Sequence, residues 1–378
     1  MRYPPRYPEI PEDKPINYKK ILKWLFIFIG SSLLLTNIIV SNIKIENKVS
    51  LLMMSVIIPV VVLSIIFLIF LFLKELNNHN NELFKNQFNA DNEKWWLYHS
   101  ASIPIKTSII IGSIGENQQE WKQIIDNRPT PPQPISNNHE QRIYCSALVG
   151  NKHNREKMLA KLLANQFILV EDDNKDKIKL DNIYWKGTPE SLTQFIDYLQ
   201  KYGIPLPLKT IFIDSIGSLD TIIDNYYFYH KADYYSIVAG TNISDHLDNG
   251  VLAETGFLWV ISPQEKVYQL YRCECLNNDD ANELASQVIK YSKIPDDIPD
   301  NNISIDRDAS HVFLTTPLYS SENIVQDYFG DSTYTSPFLA ISFSILHCIN
   351  NDINSCGWIS GYDNGQYIAG VIKKYENQ

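Results

Sequence analysis

Two long apolar runs near the N-terminus restrict what this chain can fold into. The first, at 24–40, carries no charged side chain and reaches about 20 residues with its flank, which is enough to cross a bilayer. The second, at 49–73, has 25 residues and no ionisable group. At about 1.5 Å per residue it extends about 37 Å, more than the hydrocarbon core. The sequence therefore predicts two transmembrane helices within 21–73. The first predicted helix contains Trp24 and Val40, and the second contains Leu51 and Leu73.

The charges beside these runs predict an orientation. A secretory signal peptide is the alternative for the first run, but no small-residue cleavage site follows it, and the second run begins within ten residues. Six basic residues precede the first run and two lie between the runs. Because basic residues concentrate on the cytoplasmic side, we expect a hairpin in the inner membrane with the N-terminus and the soluble part in the cytoplasm.

The rest of the chain is acidic. Residues 74–378 hold 25 basic and 39 acidic side chains, a net charge of −14. A nucleic-acid partner is excluded, because phosphate binding needs concentrated positive charge. The five cysteines are odd in number and scattered, which excludes a secreted disulfide scaffold and fits free thiols in the cytoplasm.

Composition divides the chain into five parts. Trp95 and Trp96 open the folded region, where core packing is favoured over the alternative of a membrane-interface anchor, because they lie more than 20 residues beyond the second run. The prolines within 127–138 predict a connection without regular structure. We predict a cytoplasmic tail (1–20), a transmembrane hairpin (21–73), a juxtamembrane helix or tether (74–94), a first α/β part (95–240) and a second α/β part (241–378).

Strand-like and helix-like segments alternate through the soluble part. Strands are predicted at 142–150, 210–215, 236–240 and 311–316, and an antiparallel hairpin joins 251–262 to 266–275. Helices are predicted at 153–165, 188–202, 280–291 and 337–349. A final hairpin at 354–374 turns at Asn364-Gly365, a pair that tolerates positive φ. This pattern predicts an α/β fold with a mixed sheet, preceded by the two transmembrane helices.

The sequence contains no phosphate-binding glycine loop, no hydrolase nucleophile elbow and no zinc-protease motif. Cys273 and Cys275 share one face of a strand, but no second pair of cysteines completes a zinc site. We therefore predict no catalytic, cofactor-binding or metal-binding residue and no cofactor.

Two acidic positions are the alternatives to this conclusion. Asp214 ends the strand predicted at 210–215, where α/β proteins place functional groups, and it would serve an enzyme if the chain were one. The loop at 241–250 carries Asp245, His246 and Asp248, which turn propensity accounts for.

The C-terminal third resembles a known family. Residues 327–339 read DYFGDSTYTSPFL and are followed by an apolar helix and the strand–turn–strand GWISGYDNGQYIAGVI. Together with the Glu93–Trp96 tetrapeptide, the Arg142-Ile143-Tyr144 strand start and the VLAETGFLWVIS strand, this order resembles the type VI secretion lipase adapter family over roughly residues 93–378. The segment that carries the resemblance comprises Gly330, Asp331, Ser336, Pro337 and Phe338.

The resemblance implies a thiolase-like fold, in two halves, without the thiolase catalytic residues. It also implies a non-enzymatic adapter in a Gram-negative bacterium, which binds a phospholipase effector and hands it to the spike protein of the secretion machine. An inner-membrane immunity protein against a toxin is one alternative, and a membrane-tethered enzyme that uses Asp214 is another. Within the segment, Ser336 is expected to cap the helix that Pro337 begins.

Overall fold

The computed structural model describes most of the chain and divides it into two compact units. The described residues are 2–8, 18–42, 48–127, 129–137, 140–171, 178–243, 251–265, 267–277, 280–294, 298–321, 323–330, 335–362 and 365–375. Tyr3–Trp95 forms one unit, here called the helical unit. Arg2 and Trp96–Gln378 form the other, here called the α/β unit.

Two helices make up the helical unit. Helix α1 spans Tyr18–Asn42 and contains Trp24 and Val40, and helix α2 begins at Lys48, contains Leu51 and Leu73, and ends at His99. Both have stretches long and apolar enough to cross a membrane, and these stretches are not buried within the protein. Side chains such as Trp24 and Leu73 are 62% and 58% exposed, which a lipid environment would compensate and water would not. The predicted tether at 74–94 is part of the continuous helix α2.

The N-terminal tail packs along the polar part of α2. The Tyr7 ring lies edge-on to Phe84 and Phe88, with ring centroids 5.5 and 5.2 Å away. Its hydroxyl donates a hydrogen bond to an Asp91 carboxylate oxygen at 2.7 Å. The start of the chain therefore lies beside the helical segment that follows the second apolar run.

The α/β unit alternates helices and strands. Its helices among the described residues are α3 (Gln118–Asn127), α4 (Lys152–Val170), α5 (Pro189–Lys201), α6 (Ser218–Tyr229), α7 (Ala281–Ser292), α8 (Arg307–Val312), α9 (Gln326–Phe329) and α10 (Ser336–Asn351). Its strands in the same residues are β1 (Ser102–Ile111), β2 (Ile135–Asn137), β3 (Glu140–Ile143), β4 (Leu180–Lys186), β5 (Lys209–Phe212), β6 (Tyr235–Ile243), β7 (Val251–Ile261), β8 (Tyr268–Tyr271), β9 (Glu274–Leu276), β10 (Asn301–Ser304), β11 (Ser355–Tyr362) and β12 (Gln366–Lys374).

The main sheet has the order β10-β11-β12-β8-β1-β7-β6-β4-β5 and consists of two similar halves. In the first half, the antiparallel pair β6–β7 has β4 parallel to β6 and β1 antiparallel to β7. In the second, the antiparallel pair β11–β12 has β10 parallel to β11 and β8 antiparallel to β12. Strands β1 and β8 pair with each other and join the halves. The boundary predicted at 240–241 falls within β6.

Helices cover both faces of the first half of this sheet. Buried side chains of α4 and α5 pack on one face, and those of α3, α6 and α10 pack on the other, in a cluster that also includes strands of the second half. Helix α10 is largely enclosed, because every residue from Ser336 to Cys348 is buried. The mixed α/β fold predicted from the sequence is thus confirmed.

Several predicted elements are confirmed. Helix α5 begins as expected, with Pro189 at its first position and the Thr188 side chain accepting a hydrogen bond from the Ser191 amide. Helices α7 and α10 and the final hairpin of β11 and β12 are also present. Gly365 has a φ of +76°, as the turn prediction required, whereas Asn364 lies outside the described residues.

Other predicted elements were wrong, chiefly where pairing is not local. The predicted hairpin of 251–262 with 266–275 does not form, because β1 lies between β7 and β8 and pairs with both. The strand predicted at 142–150 ends at Ile143, and 311–316 is the end of α8 and a turn. The strand expected at 210–215 to be buried is β5, an exposed strand at one end of the sheet order.

The turn at Gly365 provides a stability test. A left-handed residue with a Cβ costs about 1–2 kcal/mol, so Gly365→Val should lower the free energy of unfolding by about that amount. No atom lies within 4 Å of the added Cβ, so strain and not collision is the cause. Gly365→Asn should lose less, because asparagine tolerates this conformation. Chemical denaturation of the three proteins in detergent would measure the losses, and equal stabilities would contradict the assigned turn.

Candidate functional site

The most family-like segment, Ser336-Pro337-Phe338, begins a core helix. The Phe338 ring is stacked on Phe257 with centroids 4.7 Å apart and lies 5.7 Å from the Trp259 ring. Ser336 is 3% exposed and Phe338 is fully buried. These residues therefore hold α10 against β7 and present no open reactive surface.

The helix begins one residue earlier than expected. Thr335 occupies the cap position of α10, without a side-chain capping hydrogen bond, and Ser336 is the first helical residue. The predicted cap at Ser336 is thus shifted by one position, because Pro337 is tolerated at the second helical residue as well as the first. Asp331, which belongs to the same segment, lies outside the described residues.

Gly330 sits where the backbone needs glycine. It ends α9 with a φ of +65°, and a Cβ there would come within 2.7 Å of the Val251 carbonyl oxygen. Only glycine combines this dihedral angle with so close a backbone approach. The family-like glycine therefore allows the end of α9 to lie directly against the start of β7.

Gly330 also lines an open cavity of about 670 Å³, here called the Gly330 cleft. One wall is the proline segment 131–134, and the other carries charged residues from α8 and α9. Arg307 and Asp327 form an ion pair there, with an N–O distance of 2.6 Å and side chains 62% and 51% exposed. Such an exposed pair adds little stability, about 0–1 kcal/mol. The lining residues are Pro131, Pro132, Gln133, Pro134, Ile143, Val251, Arg307, Asp308, Gln326, Asp327 and Gly330.

A hydrogen bond from a tyrosine anchors the chain at Pro129, just before the proline wall. The Tyr328 hydroxyl donates to the Pro129 carbonyl oxygen at 2.7 Å, and the Ser113 hydroxyl donates to the Tyr328 carbonyl oxygen at 2.7 Å. Because proline also fixes φ, this wall is rigid before any ligand arrives. From the sequence, the prolines predict only a connection without regular structure, because nothing in the neighbouring residues indicates which element they pack against.

A buried ion pair lies on β7, the strand whose first residue, Val251, lines the cleft. The Glu254 carboxylate on β7 accepts hydrogen bonds from the Cys145 amide at 2.9 Å and from Arg155 Nε at 2.7 Å. The hydrogen bond that Arg155 donates to Glu254 raises the pKa of Arg155. Burial raises the pKa of the Cys145 thiol to about 11, so little thiolate forms at neutral pH and the thiol is a poor nucleophile.

Asp214, the acid expected at a strand end, lies two residues beyond β5 with its side chain exposed. The Lys186 amine donates a hydrogen bond to the main-chain carbonyl of Asp214, and burial lowers the pKa of Lys186. A Cβ on Gly217, before α6, would lie 3.4 Å from the Ser215 hydroxyl and 4.0 Å from the Tyr362 hydroxyl. The structure thus brings Ser215 of the first half near Tyr362 of the second.

The remaining candidates are buried or outside the described residues. Cys348 and Cys356 are both buried, and the hydrogen bond that the Cys348 thiol makes to Cys356 raises the pKa of Cys348 well above its usual range. Cys273 is buried too, and burial raises the pKa of its thiol. Within the described part of the chain, no three His, Cys, Asp or Glu side chains are placed to hold a metal. The loop with Asp245, His246 and Asp248 lies outside that part.

Comparison with known proteins identifies the fold. No family model and no curated protein matches the chain. Among solved structures, the ishigamide ketosynthase/chain length factor matches with a TM-score of 0.53 and 10% identity, covering 73% of this chain and all of that one. The ketosynthase from module 6 of the bacillaene synthase of Bacillus subtilis 168 matches with a TM-score of 0.51 and 10% identity, covering 73% of this chain and 71% of that one.

These matches confirm the thiolase-like fold implied by the sequence resemblance. Both solved structures are of ketosynthase proteins, and ketosynthases are enzymes. At this identity the likeness concerns the fold, and one fold hosts many unrelated functions.

Phe338 tests whether the family-like segment is structural. Phe338→Ala should lower the free energy of unfolding by about 3–5 kcal/mol, because it leaves a cavity between α10 and β7. Phe338→Leu should lose less, since most of the apolar volume stays. Phe228→Ala, at a ring that is 58% exposed on α6, should stay within about 0.5 kcal/mol. A Phe338→Ala protein as stable as the original would show that the ring does not support the core.

Proposed function

We propose that this chain is a membrane-anchored, non-enzymatic adapter that binds a phospholipase effector of a type VI secretion system and delivers it to the spike protein. The observation that carries the proposal is the Gly330 cleft, which opens beside the family-like segment between a rigid proline wall and a charged wall. An extended segment of a partner protein suits the open form of this cleft.

The contacts of the other candidate groups favour binding over catalysis. The family-like Ser336 and Phe338 are enclosed in the core, and the Cys145 thiol is buried. Lys186, at a strand end, donates to the protein's own backbone. A group held in this way stabilises a loop and would have to exchange that bond before it acted on a substrate.

The rigid wall and the net charge suit a protein partner. A preformed surface loses little conformational entropy on binding, so the proline wall raises affinity without new contacts. The −14 charge of residues 74–378 favours a basic partner and speeds its encounter. Two apolar helices would keep the adapter at the membrane that the secretion machine crosses.

A membrane-tethered enzyme using Asp214 is the second candidate, favoured by the enzyme fold of the matched structures. In that case Asp214→Asn would abolish turnover of a substrate while the protein remained folded. An adapter would instead bind the effector equally well with either residue.

Purification of the tagged full chain from membranes of its native host, followed by mass spectrometry, tests the proposal. We expect a phospholipase and a secretion spike protein to co-purify. A toxin recovered without a spike protein would instead indicate an immunity protein. If neither a phospholipase nor a spike protein were enriched over an untagged strain, the adapter role would be wrong.

A pair of charge reversals locates the binding surface. Asp327→Lys in the Gly330 cleft should weaken binding of the co-purified phospholipase by about tenfold or more, because it breaks the Arg307 pair and reverses charge at the contact. Asp197→Lys, at an exposed site on α5, changes the net charge equally and serves as the control. Equal affinities of the two variants, measured by biolayer interferometry, would exclude the cleft.

Salt should slow the same association. Electrostatic steering predicts that the association rate constant falls by about tenfold or more between low and high ionic strength, while the dissociation rate constant changes less. Stopped-flow measurement with the purified phospholipase would report both constants. A flat association rate would show that the acidic surface does not steer the partner.

A further inference from the structure

Arg2, at the start of the chain, is bound within the α/β unit. Its Nε donates to a Glu274 carboxylate oxygen at 2.7 Å, and Nη1 donates to Asp220 at 2.6 Å. Its Nη2 donates to the Cys273 carbonyl oxygen at 2.7 Å, and its backbone amide donates to the second Glu274 oxygen at 3.2 Å. The Arg2 side chain thus binds residues that lie more than 200 positions away from it in the sequence.

The acidic side of this contact is enclosed. The Glu274 side chain is 4% exposed, and the Tyr291 hydroxyl donates to its carboxylate at 2.7 Å. Gln287 donates both to the Tyr291 hydroxyl, at 2.5 Å, and to the Arg2 carbonyl oxygen. Together these hydrogen bonds hold the Glu274 carboxylate in place. Gln287 also binds the backbone of Arg2, whose guanidinium binds Glu274.

The second carboxylate is oriented from behind. Arg272, which is almost fully buried, donates to Asp220 at 3.0 Å and also to Asp224. The Tyr98 hydroxyl donates to Asp224 at 2.8 Å, and the Arg272 guanidinium lies 4.4 Å from the centroid of the Tyr98 ring. Asp220 therefore bridges two guanidinium groups and is held in position by a network within the unit.

A planar guanidinium is the cation that suits this site. It offers several N–H donors in a fixed fork, and here they reach two carboxylates and a carbonyl at once, which a lysine amine on a flexible stem does not match. A buried carboxylate without its cation is strongly destabilised, so Glu274 needs an occupant. Within the described residues, Arg2 is that occupant.

We propose that the α/β unit carries an arginine site, made by Glu274, Asp220 and the Cys273 carbonyl, that binds the chain's own Arg2 and so closes the two apolar helices into a loop. Residues 2 and 96 then lie on the same face of the membrane. An even number of crossings must separate them, and α1 and α2 supply two. The position of Tyr7 against Phe84 and Phe88 in the helical unit agrees with this closure.

Protease protection of the tail tests the arginine site. In the detergent-solubilised full chain, Arg2→Ala should speed proteinase K cleavage within residues 2–20 by about tenfold, which corresponds to about 1.4 kcal/mol. Arg2→Lys should restore only part of the protection. Arg6→Ala, in the same tail, is the control and should leave the rate within about twofold. Equal rates for the Arg2→Ala and Arg6→Ala proteins would overturn the proposal.

A double-mutant cycle adds a readout that general destabilisation does not reproduce. In a Glu274→Gln background, Arg2→Ala should cause little further loss of protection, because the carboxylate partner is already gone. Independent, additive losses would show that the two side chains do not act together.

A topology measurement remains decisive even if the Glu274 variant fails to fold. One epitope is inserted within 9–17 and another is added after residue 378 of the unmutated chain. Antibody binding to spheroplasts and to inside-out membrane vesicles then reports the side of each epitope. Both epitopes on one side are expected, and opposite sides would refute the closure. This result is independent of effector binding, so it separates failure of the arginine site from failure of the adapter role.

Discussion

The antiparallel pairing of β1 with β8 makes one sheet out of two halves, with Ile103 opposite Leu270. Each of these strands has a second partner, β7 for β1 and β12 for β8, so both lie in the middle of the sheet. Their side chains join the cluster that receives α3, α6 and α10. Closing the long loop between them costs little more than closing a short one, because that entropy grows slowly with length, whereas burial of Ile103, Ile105 and Leu270 favours the pairing.

Helix α10 depends on this sheet and explains why a core segment is the most recognisable part of the sequence. The Trp259 indole donates to the Ser342 hydroxyl at 2.6 Å, and that hydroxyl donates to the Phe338 carbonyl oxygen at 2.8 Å. A fully buried helix needs such bonds, since an unpaired buried polar group is costly. The resemblance at Ser336-Pro337-Phe338 therefore concerns residues that pack in the core. The nearby Gly330 instead provides a backbone conformation at the edge of a cleft.

The sequence revealed features that are local and missed those that depend on distant partners. Uninterrupted apolar runs marked α1 and α2, and Thr188-Pro189 marked the start of α5, because apolar composition and helix capping are properties of one element. Strand β1 was missed, and β7 was paired with its neighbour in sequence, because strand order is decided by the whole sheet. The Arg307–Asp327 pair and the Arg2 contacts carried no sequence signal, since single charged residues far apart show no periodicity.

The ends of the parallel strands, where α/β proteins usually bind ligands, illustrate how one fold can serve different purposes. At the end of β4, Lys186 donates to the backbone carbonyl of Asp214. After β10, the Asp306 carboxylate accepts the Gly361 amide at the end of β11. In both halves, a charged side chain near a strand end, Lys186 or Asp306, is thus hydrogen-bonded to the protein's own backbone. The Gly330 cleft, by contrast, has an ion pair exposed to solvent and a wall of prolines whose shape does not depend on a ligand. Its charged pair can exchange partners at little cost, as the proposed binding of a protein partner would require.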